Sequence, residues 1–119
     1  MATAKRAKLP LVTAIAAAVR SVPRGRVSTY GAIAKAAGYP RCSRHVSRVF
    51  HKVPGLPWHR ILGSGGVIRT PGEWAMEQRF RLESEGVLVR GKRVSLRQYE
   101  HVFAGRRTPA QVKSPARKR

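Results

Sequence analysis

The residues best suited to chemistry lie in one short stretch, Pro57-Trp58-His59-Arg60, where an indole, an imidazole and a guanidinium follow a proline. The proline lacks an amide donor, fixes its own φ angle and biases the residue before it toward an extended conformation. The stretch is therefore predicted to be a stiff turn that presents Trp58 and His59 to a partner. General acid–base chemistry by His59 with Glu85 is feasible, but the sequence alone does not place the two side chains together.

Other kinds of reactive site are disfavoured. The four histidines and the one cysteine show no CxxC, HxxxH or comparable grouping, so no metal site is predicted. Cys42 is the natural candidate for a nucleophile, but it falls on the apolar arc of a predicted helix and is interpreted as a buried structural thiol. No serine has the context of a nucleophile elbow. Aspartate is absent and no glutamate precedes position 73, which argues against a metal-dependent nuclease.

The charge indicates the class of partner. The chain has 25 Lys and Arg against five Glu, for a net charge of +20, and the region from residue 1 to 72 contains no acid. Such a field attracts a polyanion, and nucleic acid is the best candidate. A ribosomal or chromatin-like packing protein and a protein of anionic lipid surfaces are the alternatives. No amphipathic helix has the Lys-rich, Trp/Phe-faced pattern of a membrane binder.

The length of 119 residues predicts a single domain with tails. Residues 1–8 are predicted to be a flexible basic arm, residues 9–104 the folded domain, and residues 105–119 a disordered basic tail that adds non-specific phosphate affinity. The most apolar run is about half the length of a membrane span, and nothing resembles a signal peptide. We therefore expect a monomer that is cytoplasmic and nucleoid-associated, or nuclear in a eukaryote.

Three predicted helices precede the reactive stretch. Apolar residues at helical spacing predict a helix from Pro10 to about residue 21, Ser28 is expected to cap a helix over residues 29–37, and a third follows over residues 41–52. The last two form a helix-turn-helix candidate. One face of the third helix is apolar and the other is wholly basic, without an acid to pair with it. This helix is interpreted as a recognition helix that lies against a groove of nucleic acid.

The elements after the reactive stretch are short. Residues 61–62 and 67–69 are predicted to be two strands around a Gly-rich loop, which would form a wing. A partly buried helix is predicted over residues 73–85, with Gly86 at its end, and residues 87–96 are predicted to form a hairpin or extended pair. The predicted fold class is α+β and mostly helical, a winged helix-turn-helix DNA-binding domain with a small β-hairpin wing.

The stretch Pro57-Trp58-His59-Arg60-Ile61 resembles the Pro-Cys-His-Arg-Val active-site signature of the O6-alkylguanine-DNA alkyltransferases, with tryptophan in place of the cysteine. The similarity extends over roughly residues 9–103, the DNA-binding domain of those enzymes. This exchange marks the alkyltransferase-like proteins. The resemblance implies a protein without enzymatic activity or cofactor that binds O6-alkylguanine in double-stranded DNA from the minor groove. It would flip the damaged nucleotide and mark it for nucleotide excision repair proteins.

The resemblance also implies roles for single residues. Tyr30 is similar to a tyrosine that presses on a DNA phosphate, and Arg44 to an arginine finger that fills the space of the flipped base. His59 and Glu85 would be the remnant of a relay that activates the missing cysteine, and Arg69 would pack on the flipped base. The predicted lesion pocket comprises Tyr30, Trp58, His59 and Arg69. The predicted DNA-binding residues are Tyr30, Arg41, Arg44, His45, Ser47 and Arg48.

Two alternatives remain open. A winged-helix transcription regulator or nucleoid protein without lesion specificity explains the charge equally well, but it leaves the Trp58-His59-Arg60 sequence unexplained. An active alkyltransferase would need Cys42 as its alkyl acceptor.

Overall fold

Helices and short strands alternate along residues 9–103, the part of the chain that the computed structural model describes. The predicted basic arm and basic tail lie outside the described residues. The elements in chain order are α1 (Leu11–Arg20), β1 (Ser28–Thr29), α2 (Tyr30–Ala36), α3 (Ser43–Lys52), a 3-10 turn (Trp58–Arg60), β2 (Ile61–Leu62), a second 3-10 turn (Ser64–Gly66), α4 (Glu73–Ser84), β3 (Val89–Arg90), β4 (Arg93–Val94) and α5 (Leu96–Tyr99). None of these helices is long and apolar enough to cross a membrane.

The helices α1, α2 and α3 pack around the first of two apolar clusters. Burial of each large aliphatic side chain there contributes about 1.5–3 kcal/mol. The cluster includes the fully buried residues Ile15, Val19, Ile33, Val46 and Ile61. Gly38, at φ +91°, lies in the connection between α2 and α3. The predicted helix pair is therefore present, and its shared core with α1 fixes the direction of the basic face of α3.

Two local predictions in this region are wrong. The cap of α2 is Thr29, whose Oγ1 accepts a hydrogen bond from the amide of Ala32 at 3.1 Å, whereas the buried hydroxyl of Ser28 has no hydrogen-bond partner among the described residues. Cys42 precedes α3 instead of lying inside it, and the residue is half-buried. The chain turns there because the amide of Cys42 bonds the carbonyl of Tyr39, so α3 begins later than predicted.

The strand pairing also differs from the predicted wing. The strand β2 pairs in parallel with β1, with Ser28 opposite Ile61 and Thr29 opposite Leu62. Across the Gly-rich loop, the described residues form a single antiparallel bridge, between Gly63 and Val67, because the loop coils into a 3-10 turn, and Val67 bridges to Arg93 as well. The pairing of β1 with β2 places the start of α2 beside the Trp58–Arg60 turn.

The second apolar cluster joins α4 to the predicted hairpin. The strands β3 and β4 pair in antiparallel register, which confirms that hairpin. The helix α4 is partly buried, as predicted: Leu82 and Gln78 face inward, while Trp74, Met76 and Phe80 are exposed. Gly86, at φ +87°, follows its end.

Candidate nucleic-acid interface

An open cleft of about 850 Å³ lies among α2, α3, the Trp58–Arg60 turn and the start of α4. Its volume falls within the range of about 300–1,000 Å³ that is common for sites of small ligands. Aromatic side chains and polar or basic side chains share its walls. The lining residues are Tyr30, Ser43, Arg44, Ser47, Phe50, His51, Trp58, Arg69, Thr70, Pro71 and Trp74.

The fold brings five of the predicted site residues into this cleft. Tyr30 is the first residue of α2, Trp58 begins the 3-10 turn, and Arg69 lies shortly before α4. Arg44 and Ser47 are one turn apart on α3, so they point to the same side. A cleft with a basic edge and aromatic walls can hold a planar base whose phosphates lie along the edge.

The remaining predicted residues lie elsewhere. Arg41 and Arg48 are exposed and His45 is half-buried, and none of the three lines the cleft. They stay predictions for contacts with DNA. His59, predicted as a pocket residue, is buried beneath the cleft and does not line it.

The indole of Trp58 is held by contacts with three side chains. The ring of Trp74 meets it edge-on at a centroid distance of 5.6 Å, and the ring of His59 does so at 6.3 Å. The guanidinium of Arg81 lies 5.5 Å from the centroid of the Trp58 ring. Such a cation–π contact contributes about 0.5–1 kcal/mol at an exposed site. Trp58 is therefore a fixed aromatic wall of the cleft.

Behind this wall, Glu85 joins a buried cluster of hydrogen bonds. Its Oε2 accepts from Nε2 of His59 and from Nη2 of Arg60, each at 2.8 Å. Its Oε1 accepts from Nε of Arg60 at 3.0 Å and from the amide of Gly25 at 3.2 Å. Arg60 also donates to the carbonyl of Val22 at 2.9 Å. The cluster ties the Trp58–Arg60 turn to the loop before β1 and to the end of α4.

The protonation states follow from this cluster. Burial alone would raise the pKa of Glu85, but the hydrogen bonds from Arg60, His59 and the amide of Gly25 overcome it and lower the pKa to about 2. Burial lowers the pKa of His59 below its usual value, although Glu85 opposes this effect. The imidazole is therefore neutral at physiological pH, with Nε2–H donating to the carboxylate. Its buried Nδ1 has no hydrogen-bond partner among the described residues.

Tyr30 and Arg69 both line the cleft, and the charge of Arg69 acts on the Tyr30 phenol. Burial raises the pKa of the Tyr30 phenol, and the positive charge of Arg69 partly offsets this rise. The phenol is therefore neutral and able to donate a hydrogen bond. The side chain of Arg69 lies against Gly63, where any larger residue would collide with it. Gly63 thus leaves the space that the guanidinium needs at this edge.

Gln78 is a site-supporting residue that the sequence prediction missed. It is fully buried, and its Nε2 donates to the carbonyls of His59 and Ile61 at 3.0 Å each. Its Oε1 accepts from Thr70 Oγ1 at 2.8 Å. The available signal was a polar residue one turn before Leu82, on the inward face of α4. Trp74 and Arg81, the partners of Trp58, were also missed. Their helix has no clean apolar stripe, so the sequence does not show which of its residues face the turn.

Folding stability is expected to fall as the pH drops from neutral to about pH 3. His59 has a folded pKa below its unfolded value of 6.5, so its contribution is present above pH 6.5 and is lost below it. The contribution of Glu85 is present above its unfolded value of 4.5 and is lost as the pH falls toward about 2. Urea unfolding over this range measures the loss, and an unchanged free energy of unfolding would contradict it.

Comparison with known proteins identifies the family of this chain. Residues 10–87 match the family of the 6-O-methylguanine DNA methyltransferase DNA-binding domain. A DNA base-flipping protein of Vibrio parahaemolyticus is 43% identical over 91 residues, which cover 72% of this chain and 90% of that protein. Alkyltransferase-like protein 1 of Schizosaccharomyces pombe is 43% identical over 77 residues, 60% of this chain and 71% of that protein. The chain belongs to the alkyltransferase-like family.

The structure of an alkyltransferase-like relative gives the same result for the fold. The crystal structure of S. pombe Atl1 in complex with damaged DNA containing O6-carboxymethylguanine matches with a TM-score of 0.71 and 31% identity. The match covers 78% of this alkyltransferase-like chain and 95% of that one. The resemblance seen in the sequence is therefore confirmed, as is a mostly helical helix-turn-helix fold with small strands.

Proposed function

We propose that this alkyltransferase-like protein is a non-enzymatic sensor of DNA damage. It binds O6-alkylguanine in duplex DNA, flips the damaged nucleotide into the cleft beside Trp58, and marks it for nucleotide excision repair proteins. The observation that carries the proposal is the convergence of Tyr30, Arg44, Trp58 and Arg69 on one open cleft. The base-flipping name of the Vibrio relative and the damaged-DNA complex of Atl1 support it.

The cleft suits an extruded purine. Trp58 offers an aromatic surface to the flipped base, and stacking of this kind is worth about 1–3 kcal/mol per base. Tyr30 supplies a hydrogen-bond donor and Arg69 a positive charge at the cleft edge. Flipping costs a few kcal/mol and costs less where alkylation has weakened the base pair, so the cost itself favours the lesion.

The basic face of α3 supplies the approach to DNA. Arg44 lies between the cleft and the exposed face of the helix, so its guanidinium can fill the gap that a flipped base leaves. Arg41, His45 and Arg48 would contact phosphates outside the cleft and hold the register of the protein on the duplex. The tail of residues 105–119, with six basic residues and no acid, would add affinity for any DNA.

The cleft lacks the group that alkyl transfer requires. An irreversible transfer needs a thiolate, and the indole of Trp58 is not a substitute. Cys42 does not line the cleft. His59 and Glu85 keep the arrangement of an activating pair, but here they hold Arg60 and the turn in place.

Incubation with a duplex that contains O6-methylguanine is expected to leave the mass of the protein unchanged. The physical reason is the absence of a cleft thiol, and intact-protein mass spectrometry after saturating binding is the measurement. The Cys42→Ser variant is the control. A gain of one methyl group by the wild type that the variant fails to show would identify an active alkyltransferase and contradict the proposal.

A further inference from the structure

The outer face of α4, defined by Glu73, Met76 and Phe80, is exposed and takes no part in the cleft. Met76 and Phe80 expose 74% and 68% of their surface, more than any other large apolar side chain among residues 9–103. They are four residues apart and therefore neighbours on the helix. Gln78 and Leu82 hold the opposite side of α4 in the core, so the outer face points away from the rest of the domain.

The outer face of α4 is also separate from the DNA-binding cleft. Trp74 is the α4 residue that lines the cleft, and at 100° per residue Phe80 lies about 120° and Met76 about 160° around the helix from it. The exposed negative charge of the chain is concentrated on α4, because all the glutamates with exposed side chains are on this helix. These are Glu73, Glu77 and Glu83, whereas the side chain of Glu85 is buried against Arg60 and Glu100 is half-buried.

The charge of this face selects the kind of protein that can bind it. A chain of net charge +20 repels any other basic protein over most of its surface. Glu77 and Glu83 are paired with Arg81 and Arg79 of the same helix, but Glu73 has no ion pair among the described residues. An apolar pair beside a free carboxylate fits an apolar groove that has lysine or arginine at its rim.

We propose that the outer face of α4 docks a second, basic protein that is bound to the same DNA. The proposal rests on the proposed function, because a sensor that leaves the lesion unrepaired must be met there by a repair protein. That protein must itself carry a basic surface for DNA, and α4, which carries the exposed glutamates, is where this chain repels it least. The cleft stays free to hold the lesion during docking.

The sequence offers separate reporters for the two surfaces. The chain has two methionines, Met1 and Met76. A chain labelled at its methionine methyl groups therefore gives two NMR signals, one of which reports on the outer face. Both tryptophans, Trp58 and Trp74, line the cleft, so intrinsic fluorescence reports DNA binding. The probe is the purified damage-recognition protein of nucleotide excision repair, added to the labelled chain on an O6-methylguanine duplex.

We expect the probe to shift the Met76 methyl signal. Phe80→Ser should raise the dissociation constant of the probe from the complex at least about ten-fold. The affinity for DNA, measured by the fluorescence titration, should stay the same. Leu88→Ser, at a side chain that is 51% exposed on another surface, is the matched control and should change neither. An unshifted signal, or equal weakening by both variants, would overturn the proposal.

Two further outcomes would also overturn it. A Met76 signal that shifts with protein concentration alone would show that the face joins two copies of this chain. A signal that shifts on removal of residues 105–119, without the probe, would show that the tail covers the face. If the duplex with and without the lesion bound equally and the probe still shifted Met76, the proposed function would fail and the docking face would stand.

Discussion

Replacement of Glu85 by alanine is expected to lower the free energy of unfolding by about 3–5 kcal/mol, because it breaks a buried ion pair and leaves one charge behind. The carboxylate side chain is only 5% exposed and accepts hydrogen bonds from Arg60, His59 and the amide of Gly25. Its removal leaves the half-buried guanidinium of Arg60 without a counter-charge and releases the Trp58–Arg60 turn. Urea unfolding measures the loss: the midpoint concentration of urea should fall, while the dependence of the free energy of unfolding on urea concentration stays the same.

Glu83→Ala is the matched control for this prediction. Glu83 lies two residues earlier and also pairs with an arginine, Arg79, at 3.2 Å, but its side chain is 46% exposed. An exposed pair of this kind is worth at most about 1 kcal/mol. Equal effects of the two substitutions would show that the buried cluster does not hold the turn in place.

Replacement of Arg44 by alanine is expected to reduce the preference for lesion DNA about 10- to 100-fold. This range corresponds to about 1.4–2.7 kcal/mol, the loss of a charged group that fills the vacated base stack. Affinity for undamaged DNA should fall much less, because no base leaves the stack there. Fluorescence anisotropy with both duplexes at one salt concentration gives the ratio of the two dissociation constants directly.

Arg48→Ala separates this role from general attraction to phosphate. Arg48 lies four residues further along α3 and is exposed, but it does not line the cleft. Its loss should weaken binding to both duplexes alike. The slope of log affinity against log salt concentration should fall by about one, because one fewer counterion is released. If Arg44→Ala behaved in the same way, Arg44 would be a phosphate contact and the intercalating role would be wrong.

The sequence was sufficient for the parts of the fold that depend on local patterns. The spacing of apolar residues located α1, α2 and α3, and the two-faced pattern of α3 predicted correctly that Val46 is buried and Arg44 exposed. The hairpin of β3 and β4 followed from two short apolar segments around Gly91. In each case the signal lies within a few residues of the structure that it determines.

Long-range pairing was not predictable in the same way. The parallel ladder of Ser28 and Thr29 with Ile61 and Leu62 joins distant segments, and no local pattern in either segment indicates it. Gln78 has no apolar side chain to reveal it, because it is buried for its hydrogen bonds to the Trp58–Arg60 turn. Only the tertiary contact shows why an amide is needed there.

For the candidate site, the residues came largely from the family resemblance, and the structure supplied their arrangement. Tyr30, Arg44, Ser47, Trp58 and Arg69 meet at one cleft. His59 lies behind this cleft because its ring nitrogen is bound to Glu85, a contact that the sequence did not establish. The contacts of Trp74 and Arg81 with Trp58 are visible only in the structure.

The central claim, that the cleft recognises a damaged base without altering it, is tested most directly by one pair of dissociation constants. The two duplexes are identical except for a single O6-methylguanine, and the salt concentration is fixed because most of the attraction is electrostatic. We predict that the lesion duplex binds at least about ten-fold more tightly, which corresponds to about 1.4 kcal/mol. Equal binding of the two duplexes would contradict lesion recognition and favour a DNA-binding protein without lesion specificity.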